Sequence, residues 1–364
     1  MTDSTAENSL GRRSFLQAAC VLALSATLSE RSFAAPAPDV KGAQLKTPSG
    51  KPLRGLYPIL QTPFDEKDKL DTEALAAEIR FINRGRVAGM IWPVFASSWS
   101  TLSDGERIEG AETILAAAKG GKSAVAIAVQ NNAWDIATSV RYAKHAAAHG
   151  ADAIVAIPPN NGWNVSDEAI LDYYKAIGAA TDLPLVVQTR GTVSIDLMVR
   201  MFKEIPTMKA TKDEVGNPIE RAPELMKRTD NKLAIWAAGG GTGNQLLEEL
   251  PLGFAGLCPT PQFADMLQQV MDLYWSGKKH EAFDMYGRVQ AFATIPGATE
   301  YLMVARGVFK ETTKLRQQPM EPEAKAANPG GGGGGGRRNA PLSDDQKETV
   351  REALNTYLKP YLRA

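Results

Sequence analysis

Between Gly55 and about Tyr274 the chain repeats one rhythm, a short apolar run followed by a longer amphipathic one. That alternation constrains the fold more than any single motif. Apolar runs at 57–62, 88–94, 124–129, 153–157, 184–189, 207–212, 233–237 and 254–258 read as strands. Several are apolar almost throughout, as parallel strands covered by helices must be. The intervening stretches carry helix signals. Leu75, Ile79 and Ile82 share a face after Asp71-Thr72, Ser103-Asp104-Gly105-Glu106 is a capping box, and Ser166 caps a stripe of Ile170, Tyr174 and Ile177. Eight strand–helix units in roughly 220 residues predict an α/β fold, a (β/α)8 TIM barrel with a C-terminal helical extension. The rival, a doubly wound sheet, wants Gly-x-Gly-x-x-Gly after an early strand, and none is present. Gly239-Gly240-Gly241-Thr242-Gly243 follows the seventh strand and reads as a tight loop at the barrel mouth or an anion-binding nest.

The remaining sequence divides around this unit. Residues 1–34 carry Arg12-Arg13-Ser14-Phe15-Leu16, a short apolar run and the small residues Ala34-Ala35, the pattern of a twin-arginine export signal. A periplasmic or secreted location is therefore expected, with cleavage after Ala34. An N-terminal extension covers 35–54 and the barrel with its trailing helices 55–310, those helices falling near 262–276, 279–292 and 297–309. A linker is placed at 311–342, with glycine at every position from Gly330 to Gly336. A last helix, 343–364, opens at the cap Ser343-x-x-Gln346 and presents Val350, Leu354, Tyr357 and Tyr361 as a docking stripe.

Charge narrows the function. Forty-one basic and 41 acidic side chains cancel, so nothing argues for nucleic acid or an anionic membrane as partner. Neither cysteine stands in a metal-binding motif. His145 and His149 lie one helical turn apart without a neighbouring cysteine or carboxylate cluster and read as helix surface, so no metal is expected. No organic cofactor is expected either.

The chemistry centres on Lys212, in Met208-Lys209-Ala210-Thr211-Lys212-Asp213-Glu214. This segment reads as a buried strand that delivers an amine at its C-terminal end, the face where barrel enzymes work. An amine there can condense with a carbonyl and form a Schiff base. Strand alternation puts Asp213 and Lys209 on the side opposite Lys212. The competing reading is a lysine held in a structural ion pair.

Several segments in order resemble the dihydrodipicolinate synthase / N-acetylneuraminate lyase family of class I aldolases. Leu60-Gln61-Thr62-Pro63-Phe64 is similar to its first-strand Leu-x-Thr-Pro-Phe, and Ser100-Thr101-Leu102-Ser103 to the close of its second-strand loop. Ala147 to Ala153 resembles its entry to the fourth strand, with Pro158-Pro159 at the following loop. Thr211-Lys212-Asp213 matches its Ile-Lys-Glu/Asp, which places Lys212 on the family's Schiff-base lysine. The resemblance spans roughly 55–310 and implies the barrel, a small carbonyl substrate and a homo-oligomer, tetramer or dimer.

The departures matter as much. Gln188 stands where the family carries the tyrosine that shuttles protons, and an amide cannot do so. The carboxylate-holding Gly-Thr-Thr-Gly-Glu loop becomes Val94-Phe95-Ala96-Ser97-Ser98, and the tyrosine pair of the fourth-strand loop becomes Asn160-Asn161. The expected function is a Schiff-base-forming lyase, aldolase or hydro-lyase, acting on a 2-keto acid or sugar-acid-derived substrate. Lys212 forms the imine, Gln188 and Thr62 position the substrate, and Ser97, Ser98 or Arg190 hold its carboxylate, with Asn160 and Asn161 lining the mouth. Water or substrate groups would replace the missing tyrosine. The alternative is a non-catalytic periplasmic barrel that binds a small molecule and has lost the aldolase chemistry.

Overall fold

The computed structural model describes residues 46–319 and 342–364. The export signal and the glycine run read from the sequence lie outside the described residues. Eight parallel strands form the barrel: β1 (Gly55–Leu56), β2 (Gly89–Trp92), β3 (Ala124–Ala128), β4 (Ala153–Ala156), β5 (Leu185–Gln188), β6 (Met208–Lys212), β7 (Ala234–Ala237) and β8 (Gly256–Leu257). Neighbours follow the order β1-β8-β7-β6-β5-β4-β3-β2, and the parallel bridge Ile59–Ile91 closes the ring between β1 and β2. The expected (β/α)8 architecture is what forms.

The regular part of β1 is shorter than its apolar run, because Pro58 has no N–H to give the ladder. Its carbonyl still accepts from the Ile91 N–H at 2.9 Å, and Ile59 donates to the Pro259 carbonyl at 2.7 Å. The barrel interior is unusual in its division of volume. Ala124, Ala126, Ala128, Ala153, Ala210 and Ala234 line it with small side chains. Two large rings occupy the space left over: Trp236 stacks on Tyr57 at 4.2 Å between centroids. Trp236 Nε1 donates to the Leu53 carbonyl at 3.2 Å. Gly256 permits this packing, since a Cβ there would stand 2.5 Å from the indole.

The outer helices start where the sequence places their caps. They are α1 (Thr72–Arg84), α2 (Asp104–Ala118), α3 (Ile136–Ala148), α4 (Asp167–Gly178), α5 (Ile195–Glu204), α6 (Pro218–Arg228) and α7 (Leu246–Leu252). Asp71, Ser103 and Ser166 each accept from the first turn of their helix. The extension adds α8 (Ala264–Trp275), α9 (Lys279–Ala293), α10 (Ala298–Ala305) and α11 (Asp344–Ala353).

Two features of the C-terminal part differ from the sequence reading. The segment placed in the linker begins with a docked ribbon, Lys314–Leu315 pairing antiparallel with Pro63–Phe64. Arg316 then binds Asp68 and Glu106, and its guanidinium lies 3.7 Å from the Phe64 ring centroid. The docking stripe of the last helix is also shifted. Val350, Leu354 and Leu358 are buried, whereas Tyr357 is 38% exposed. Leu354–Leu358 form a π turn, so the extra residue per turn moves the buried face from Tyr357 to Leu358.

Candidate active site

β6 carries the site because its alternation is set by packing. Ala210 belongs to the interior cluster, so Lys212, two residues on, also points inward. Lys209 and Asp213 have the opposite parity, as the sequence implied. Asp213 is 1% exposed and fully engaged: Thr189 Oγ1 donates to it at 2.6 Å and Arg221 Nε at 2.9 Å. Arg221 of α6 thus neutralises Asp213 outside the ring and leaves Lys212 to a different partner.

That partner is Glu214. Lys212 Nζ lies 2.9 Å from Glu214 Oε1, with the two side chains 4% and 19% exposed. Gln188 at the end of β5 stands in register with Lys212, and its Nε2 donates to the other oxygen, Glu214 Oε2. The Glu214 N–H donates to Thr189 Oγ1 at 3.1 Å, which fixes the start of the loop. Burial pushes the Glu214 carboxyl up, but the charges of Lys212 and Arg190 and the hydrogen bonds from Lys212 and Gln188 outweigh it. The net effect holds Glu214 below its ordinary range, as a carboxylate. Arg190 places its guanidinium 4.1 Å from the Phe95 ring centroid. Among the described residues, Arg190 Nε and Gln188 Oε1 are buried without a hydrogen-bond partner. The structure therefore gathers Lys212, Gln188 and Arg190 around one carboxylate that the sequence reading did not assign. Glu214 stands two residues past Lys212, where continued alternation brings it to the same side.

The other sequence candidates are placed differently. Thr62 Oγ1 donates to the Ser97 carbonyl at 2.7 Å and accepts from Trp92 Nε1 at 2.9 Å. Ser97 Oγ donates to the Leu60 carbonyl at 2.6 Å and accepts from the Val94 N–H at 3.2 Å. Ser98 adopts a left-handed backbone, φ 56°, and its hydroxyl donates to the Arg316 carbonyl. Asn160 and Asn161 are left-handed too, φ 47° and 52°, conformations asparagine tolerates better than most residues. Asn160 Nδ2 donates to the Trp163 carbonyl at 2.7 Å. Just beyond, Gly162 meets the β5 loop so closely that a Cβ would stand 2.3 Å from the Arg190 carbonyl oxygen. The asparagine turn therefore supports the Arg190 backbone.

Cys258 is buried at the end of β8, and burial pushes its thiol up to about 12, with Lys212 opposing and Glu214 and Glu249 adding to the rise. It is not a nucleophile near neutral pH. The reading of His145 and His149 as lacking a carboxylate is corrected: folding brings Glu112 of α2 against both. Sequence distance concealed this, since α2 and α3 are separate elements.

A closed parallel barrel with a buried lysine and a paired glutamate at the C-terminal end of its sixth strand defines a class of protein, a lysine-centred (β/α)8 barrel. The chain belongs to the dihydrodipicolinate synthetase family, whose model matches residues 52–313. It is 26% identical over 289 residues to the 4-hydroxy-tetrahydrodipicolinate synthase of Chloroherpeton thalassium, covering 75% of this chain and 92% of that one. The N-acetylneuraminate lyase structure from Mycoplasma synoviae superposes with a TM-score of 0.66 at 18% identity, covering 84% of this chain and 98% of that one. The N-acetylneuraminate lyase of Fusobacterium nucleatum complexed with pyruvate gives 0.66 at 17% identity, covering 84% and 97%. At these identities the structures establish likeness of fold.

Proposed function

We propose that this protein is a Schiff-base-forming lyase acting on a small 2-keto acid, with Lys212 as nucleophile and Glu214 as its proton partner. One observation carries the reading: the buried Lys212 Nζ stands 2.9 Å from a carboxylate that a neighbouring strand also holds. The Lys212 ammonium gives a proton to Glu214, and the free amine adds to the C2 carbonyl. Glu214 returns the proton to the departing hydroxyl, water leaves, and an iminium remains. For a substrate with a hydroxyl at C4, Glu214 takes that hydroxyl's proton as the C3–C4 bond breaks and its electron pair passes to the iminium. The C4 fragment leaves as an aldehyde, Glu214 returns the proton to C3 of the enamine, and the resulting iminium is hydrolysed. Glu214 thereby fills the role left vacant by the tyrosine that Gln188 replaces, and Gln188 orients it. Arg190 supplies a planar cation for the substrate carboxylate.

The family membership, the relatives named as synthases, and the neighbour complexed with pyruvate support this reading. The leader read at 1–34 supports export of the mature chain, and a homo-oligomer, dimer or tetramer, belongs to the same reading. The test is borohydride reduction of the purified protein with pyruvate and a panel of 2-keto acids. A mass adduct mapped to Lys212 is expected. Saturable binding of a keto acid with no adduct would return the protein to the non-catalytic barrel.

A further inference from the structure

On the outside of the barrel, far along the chain from Lys212, three metal-ligating side chains converge from two helices. Glu112 is on α2, His145 is in the last turn of α3, and His149, four residues on, is the C-cap of that helix, a spacing that brings the two imidazoles to one side. His145 Nε2 lies 2.9 Å and His149 Nε2 3.6 Å from the same oxygen, Glu112 Oε1. The three donor atoms fall within 4.8 Å of one another, and the two rings are 4.1 Å apart, tilted by 33°.

The tautomer of His149 is set by its other nitrogen. His149 Nδ1 lies 2.8 Å from the backbone carbonyl of His145. A carbonyl only accepts, so Nδ1 carries the proton, and the neutral ring has its lone pair on Nε2. That lone pair faces a carboxylate oxygen, which also only accepts. With the ring neutral, these two acceptors favour a cation between them, a proton or a metal ion. A carbonyl that fixes Nδ1–H is also the outer support that orients metal-bound histidines. Ligands about 2.0–2.1 Å from a tetrahedral zinc ion stand roughly 3.4 Å apart, close to the two histidine–carboxylate separations of 2.9 and 3.6 Å.

We propose that Glu112, His145 and His149 form a site for a borderline divalent cation, Zn2+ first, clipping α2 to α3, with water completing the coordination. Two imidazole donors favour zinc, copper or nickel over magnesium or calcium. All three side chains are open to solvent, at 48%, 18% and 43% side-chain exposure, so the ion has a path in. The site is separate from the barrel chemistry and does not depend on it.

The chain contains three histidines, so the assignment is compact: only His280 lies elsewhere. Calorimetric titration of the chelator-treated full chain with Zn2+ should show one equivalent per chain. His149→Ala should weaken binding by ~10-fold or more, and the His145→Ala/His149→Ala double variant should abolish it. Glu112→Gln should weaken it without abolishing it, and His280→Ala should change nothing. Zn2+ should raise the thermal midpoint of the wild-type chain and leave that of the double variant unchanged, with far-UV circular dichroism confirming that each variant folds. Absence of stoichiometric binding, binding unchanged in the double variant, or binding lost with His280 would each overturn the proposal.

Discussion

The two sides of the barrel's C-terminal end hold their hydroxyls and their charges differently. At the β1–β2 side, each hydroxyl is committed: Thr62 bridges Trp92 and the Ser97 backbone, and Ser97 bridges Leu60 and Val94. At the β5–β6 side, Lys212, Gln188 and Arg190 surround one carboxylate, and two buried polar atoms among them have no partner. A satisfied network rigidifies a fold, and an unsatisfied one retains capacity for a ligand. On the proposed reading the hydroxyls of the first corner are framework, and the second corner carries the chemistry. Both corners contain residues that looked equally functional as letters.

The sharpest way to break this comparison is Glu214→Gln. If Glu214 is the proton partner, turnover of a reactive 2-keto acid falls by about 10²–10⁴ while the chain remains folded. An unchanged kcat would reduce Glu214 to a counter-ion. Next comes pH. Burial, with Glu248 adding to it, raises the carboxyl of Glu249 from 4.5 to about 7. Because the folded carboxyl takes up its proton more readily than the unfolded one, this contribution is fully present below pH 4.5 and is lost as pH rises through about 7. The loss is about 3 kcal/mol, and Glu249→Gln should flatten the stability profile across that window. Denaturant unfolding at several pH values measures it. The slope forms the background against which any pH–rate profile of the β5–β6 side must be read.

Thr62→Val addresses the framework corner directly. It leaves Trp92 Nε1 and the Ser97 carbonyl short of a partner and should cost about 1–3 kcal/mol of stability, with turnover per folded molecule little changed. A large loss of turnover without loss of stability would move Thr62 into the chemistry and dissolve the contrast. The smallest effect is expected at the asparagine turn. Asn160→Gly keeps the left-handed backbone and gives up one exposed hydrogen bond, so stability should stay within about 0.5 kcal/mol of wild type and KM within about twofold.

Much of the barrel was legible because it depends on local order. Asp71, Ser103, Ser166 and Ser343 announced helix starts, and each is a cap in the structure. Lys212 was legible through parity and through the Thr211-Lys212-Asp213 motif. The docked ribbon at Lys314–Leu315 was not, because its partner strand is some 250 residues away and its own sequence is polar. The shift from Tyr357 to Leu358 escaped because a π turn breaks the 3.6-residue period on which stripe reading depends.

By itself the sequence determined the succession of strands and helices, their caps, and which side of β6 bears the amine, since these follow from periodicity and nearest-neighbour chemistry. Only the tertiary structure decided which charge meets which. Asp213, adjacent to Lys212 in the chain, is claimed by Arg221 of a helix, and Glu214 turns back to the amine under a hydrogen bond from Gln188. Glu112 likewise meets two histidines more than 30 residues away. Electrostatic partnership depends on distance through space, and closure of the barrel sets that distance.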